Sequence, residues 1–80
     1  LLVVANIYCA RNENLPQAQI YAQSATQKIP DADRPAAWST LAEAEFKLNN
    51  SEAAMAAIDS AIALDTDNPF YRQQKALYKP

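Results

Sequence analysis

The sequence predicts an all-α chain: about five helices forming antiparallel helix-turn-helix repeats. Three observations lead there. Only seven of the 80 residues are Val or Ile and no polar/apolar alternation is sustained, while the good helix formers Ala, Leu, Gln, Glu and Lys dominate. Short polar clusters rich in Asn, Asp and Pro interrupt the helical stretches. One of these clusters recurs. Asp31-Ala32-Asp33-Arg34-Pro35 and Asp65-Thr66-Asp67-Asn68-Pro69 share the pattern Asp-x-Asp-x-Pro, and their prolines stand 34 residues apart.

The elements follow from this punctuation. A first helix, about residues 1–12, stops in Arg11-Asn12-Glu13-Asn14. Asn14 then suits an N-cap, with Pro16 tolerated in the first turn and Gln17 as the capping-box partner. This second helix, about 15–28, ends before Pro30, which drives the preceding residue out of the α region. Asp33 is expected to cap a third helix with Pro35 in its first turn, running to about Leu48. Asn49-Asn50 breaks it, because Asn tolerates the left-handed conformation usually supplied by Gly. A fourth helix spans about 51–64, capped by Asn50 or Ser51, and a fifth about 69–78.

Composition excludes several functions. There is no Gly, so no glycine-rich phosphate loop, and no His, so neither the commonest general base nor the commonest metal ligand. Seven basic and nine acidic residues give a net charge of -2 without a basic cluster, which argues against nucleic acid as partner. Cys9 is the only cysteine, so the chain can form no internal disulfide; one thiol suits cytoplasm or periplasm equally. No stretch approaches the roughly 18–20 apolar residues of a membrane span. Cofactor and metal sites are not expected. Asp65-Thr66-Asp67-Asn68 lacks the Gly and the distal Glu of a calcium loop and reads as a helix cap. Glu43 and Glu45 lie two apart on a helix, so they point to different faces and cannot act as a catalytic pair.

Between Pro35 and Pro69, Trp38, Leu41, Ala42, Phe46, Ala54, Ile58, Ala61 and Leu64 form a stripe of large residues with small ones where two helices would cross. This unit resembles the tetratricopeptide repeat, a 34-residue helix-turn-helix with the signature W-x2-L-G-x2-Y…A-x3-F…A…P. Trp38, Leu41 and Ala42 match its first helix, and Ala54, Ile58 and Ala61 its second. Two positions depart: Glu45 stands at the Tyr position and Thr66 at the closing Pro. Residues 1–33 read as a degenerate copy, with Val4-Ala5, Tyr8, Ala18, Ala22 and Ala25 in the corresponding places, 34–67 as the better copy and 68–80 as a capping helix. The resemblance implies one domain folded as a right-handed α-solenoid. With 17 Ala against 7 Leu, the chain has a thin core of large residues. Ala42 and Ala54 within the repeat, and Ala18, Ala22 and Ala61 between repeats, are expected at helix crossings, with Trp38, Leu41, Ile58 and Leu64 filling the space around them.

The resemblance also implies a non-catalytic scaffold that binds a protein or peptide along the concave face of the first helices. Carried over by position, that face would present Ser39, Thr40, Glu43, Phe46 and Lys47. From the first repeat it would present Leu2, Val3, Asn6, Cys9 and Ala10, with Asn6 the most suggestive. A clamp for a terminal carboxylate does not fit, since Leu2 and Ser39 replace its lysines and Glu43 would repel the ligand. Glu43 and Lys47, spaced i, i+4, form an expected surface ion pair. The first helix is apolar nearly all round, so an upstream repeat, a second copy or a partner would have to cover it. The chain is thus expected to be the C-terminal end of a longer array. The other function class open to it is a structural or self-association segment of a larger protein.

Overall fold

The computed structural model of the chain describes residue 11, residues 14–28 and residues 33–78, and among these it is all-helical with no strand. Four helices follow in order: α1, Leu15–Lys28; α2, Arg34–Lys47; α3, Ser51–Leu64; α4, Pro69–Tyr78. The first helix expected from the sequence lies outside the described residues, apart from Arg11, which is helical.

Each boundary has a local cause. The Asn14 carbonyl accepts the Ala18 N–H at 2.9 Å and so starts the α1 ladder, although Asn14 sits in the left-handed region at φ 48 and not in the extended conformation of an ordinary N-cap. Asp33 precedes α2 as expected, yet its side chain makes no capping hydrogen bond; nor does that of Asn50 before α3. The end of α2 is closed by backbone hydrogen bonds. Asn49, at φ 67, donates its N–H to the Phe46 carbonyl at 3.0 Å, and Asn50 donates to the Glu45 carbonyl at 2.8 Å. That is the Schellman pairing, with Asn in the left-handed position commonly held by Gly. Before α4 the cap is a side chain: Asn68 Oδ1 accepts the Phe70 N–H at 2.9 Å. Asn68 Nδ2 in turn donates to Asp65 Oδ2 at 3.3 Å, and Arg72 reaches back to the Thr66 carbonyl at 2.8 Å. The second Asp-x-Asp-x-Pro turn, residues 65–69, is therefore a capping device.

Packing follows helix periodicity. In α1 the buried residues Ala18, Ala22, Ala25 and Thr26 share one face; in α3 the set is Ala54, Ala57, Ile58 and Ala61. Helix α2 is covered on more than one side, with Pro35, Ala37, Thr40, Leu41, Ala42, Ala44 and Glu45 all buried. It lies against both α1 and α3, its contact with α3 being the more extensive, and α4 packs on α3 over a smaller area. Among the described residues, nine of the thirteen buried apolar residues other than Pro35 are Ala, so the core is a set of close helix approaches with few large side chains between them. All five alanines expected at crossings, Ala18, Ala22, Ala42, Ala54 and Ala61, have no accessible surface. Ile58 is the largest fully buried side chain, and Trp38 is partly buried against the core. Leu64 corrects the sequence reading: it closes α3 where no described element covers it and is 53% exposed. The Cα atoms span 32 × 31 × 17 Å, and the short dimension suits two layers of helices with axes about 8–10 Å apart. No helix among the described residues is long and apolar enough to cross a membrane.

Candidate peptide-binding groove

Ser39, Glu43, Phe46 and Lys47 fall at i, i+4, i+7 and i+8 along α2, which places them on one face. That face lines an open cavity of about 400 Å³ whose opposite wall is α4, contributing Phe70, Gln73, Gln74, Leu77 and Tyr78. Four of the six residues singled out from the sequence are thus brought together. Asn6 lies outside the described residues, as do Leu2, Val3, Cys9 and Ala10. Thr40 does not join them. One residue further along the helix turns it about 100° into the packed interior, where it is 5% exposed and its hydroxyl donates to the Ala36 carbonyl at 3.0 Å.

The two walls are tied by side chains. Ser39 Oγ donates to Gln74 Oε1 at 2.5 Å, and Gln74 Nε2 donates to the Ser39 carbonyl at 2.9 Å, so the two residues exchange a reciprocal pair. Gln74 Nε2 also lies 2.7 Å from the Tyr78 hydroxyl, which fixes the amide from its own helix. Deeper in, the Phe46 and Tyr78 rings stack with centroids 4.6 Å apart and an interplanar angle of 29°. A pair of this kind contributes about 0.5–1.5 kcal/mol beyond the area it buries. On the α3 side, Lys75 meets Asp59 at 2.7 Å. Tyr71 anchors α4 from beneath at 8% exposure; its phenol titrates above its ordinary value of 10.0, because burial disfavours the phenolate and the Asp65 carboxylate repels it.

Electrostatically the groove is nearly neutral. Glu43 and Lys47 face each other at 3.4 Å, the i, i+4 pair read from the sequence, worth about 0.3–0.5 kcal/mol. What remains exposed is mainly apolar: Phe46 at 37%, Phe70 at 64% and Leu77 at 75%. Gln73 adds amide donors and acceptors at the edge. Such a surface can bury apolar side chains and hydrogen-bond a peptide backbone.

The α4 wall was missed in the sequence because that helix reads as a polar end cap. Its signal is nevertheless there. Phe70 and Leu77 are spaced i, i+7, and stepping 34 residues on from Ala36, Ser39 and Glu43 lands on Phe70, Gln73 and Leu77. No protein-family model, curated protein or solved structure gives a significant match to the chain.

Proposed function

We propose that the chain is a non-catalytic scaffold of tetratricopeptide-like repeats that binds a segment of another protein in the groove between α2 and α4. The observation behind this reading is the phase of the groove. Its two walls use equivalent positions one 34-residue period apart, Ser39 and Glu43 on α2 against Gln73 and Leu77 on α4. A solenoid stacks first helices side by side in this way, and each added repeat extends one continuous concave surface. The two-layer thickness of the chain agrees with such stacking. Exposed apolar side chains flanked by neutral amides suit a peptide whose apolar residues anchor it, with backbone hydrogen bonds at the rim.

Peptides selected from a displayed random library on the intact chain test the proposal. The selected peptides should shift the amide resonances of Ser39, Glu43, Phe46 and Gln73. They should lose about tenfold or more in affinity to L77S, a change at a residue 75% exposed that leaves the fold alone. Peptides that bind L77S as well as the parent, or that shift residues away from the groove, would overturn the assignment.

A further inference from the structure

A second cavity, of about 360 Å³, opens on a different face of α2, between α1 and α3. At 100° per residue, Trp38, Leu41 and Glu45 lie roughly 150° around the helix from the groove residues. Gln19 and Gln23 of α1 form one side, Ser60 of α3 the other, and Trp38 and Glu45 are the aromatic and the charged elements of the lining.

Glu45 is the unusual member. It is only 6% exposed, and among the described residues its side chain has one partner, the Gln19 amide donating to Oε1. An ionised carboxylate offers about four acceptor positions, so one amide leaves most of its capacity unused. No Lys or Arg among the described residues pairs with it; Lys47 meets Glu43 and Lys75 meets Asp59. A buried carboxylate is unfavourable unless an opposite charge or several donors meet it. The rest of the lining supplies what a cation needs. Trp38 is in the lining, and an indole attracts a cation to its face. Ser60 has committed its hydroxyl proton to the Ala56 carbonyl at 3.2 Å, so its oxygen is left as an acceptor. Gln19 and Gln23 add amide oxygens at the rim.

We propose that this cavity receives an arginine side chain of a partner protein, its guanidinium on the Glu45 carboxylate and against Trp38. Charge complementarity selects a cation. Planarity selects arginine over lysine, because a guanidinium presents two parallel donors to a carboxylate, stacks on an aromatic face and is more weakly hydrated than an ammonium. The site is independent of the groove between α2 and α4, so either can fail without the other.

Trp38 is the only tryptophan, so its indole N–H resonance and emission report on the cavity without further assignment. The intact chain is titrated with n-butylguanidinium, n-butylammonium and n-butanol. A saturable response to the guanidinium is expected, weakening as salt rises, with ammonium bound about tenfold or more weakly and butanol giving none. Two variants should abolish the response while keeping the parent's helical circular dichroism. E45Q keeps the shape and removes the charge. A56L fills the cavity from an exposed position on its rim, away from the core. No saturable response in the parent, an unchanged response in folded E45Q or A56L, or ammonium or butanol binding as well as guanidinium would each overturn the proposal.

Discussion

Replacing Ala42 by Leu tests whether the alanines set the helix spacing. Ala42 has no accessible surface, so the three added carbons have nowhere to go without parting helices or forcing side chains off their rotamers. Overpacking of this kind costs about 1–3 kcal/mol. At about 0.05–0.15 kcal/mol per residue, a chain of this length has about 4–12 kcal/mol of stability in all, so the loss is a sizeable share. A cost of about 2 kcal/mol would lower Tm by about 8–16 °C. The control is A63L at an exposed position of α3, where Leu and Ala have similar helix propensity and the change should stay within about 0.5 kcal/mol. Urea unfolding followed by helical circular dichroism and by Trp38 emission gives both numbers. Coincident midpoints for A42L and A63L would refute the reasoning, since the buried alanine would then be filling no critical approach.

Two further outcomes are expected. N68A removes the acceptor that holds the Phe70 N–H, so it should cost about 1 kcal/mol, appearing first as faster amide hydrogen exchange in α4. The Tyr71 phenol titrates above 10.0 in the folded chain, so above that pH the unfolded state holds fewer protons. Its contribution is complete below 10 and is lost as pH rises through the folded value. The urea midpoint of the parent should therefore fall more steeply on the alkaline side than that of Y71F, and parallel curves would contradict this.

Much of the helical layout was legible because the breakers are unambiguous. Pro16, Pro35 and Pro69 fix helix starts and the Asn49-Asn50 pair fixes a stop, so the expected ranges 15–28, 51–64 and 69–78 agree with the structure. The third helix, expected to run to about Leu48, ends at Lys47 with Leu48 as its C-cap. Rotation about a helix was harder to read. Ser39 and Thr40 are both small hydroxyl residues on the same turn, yet only neighbouring helices decide that one lines a cavity and the other is buried. Leu64 shows the converse: it has the right spacing for the core, but it sits at a helix end where nothing packs on it. Glu45 was noted as a departure at an aromatic position and as a carboxylate on a different face from Glu43, not as a buried group. Its burial depends on Gln19, contributed by a helix 26 residues away, a long-range pairing that local pattern does not reveal. The α4 wall of the groove was hidden by its charges, since Arg72 and Lys75 read as solvated while Phe70 and Leu77 on either side of them went uncounted.

The docking of α4 has a consequence for how the groove would behave. This ten-residue helix meets α3 over a smaller interface than α2 shares with α1 or α3, and it reaches α2 through Ser39–Gln74 and Phe46–Tyr78. A segment so short has little helical stability of its own. Seating and release of that helix would then set one wall of the groove. Apparent affinity for any occupant is the intrinsic affinity scaled by the seated fraction. A ligand that bridges both walls must in turn hold the helix down. Changes in the Asn68 turn, which holds the Phe70 N–H but does not itself line the groove, would then set how often a site exists to be found.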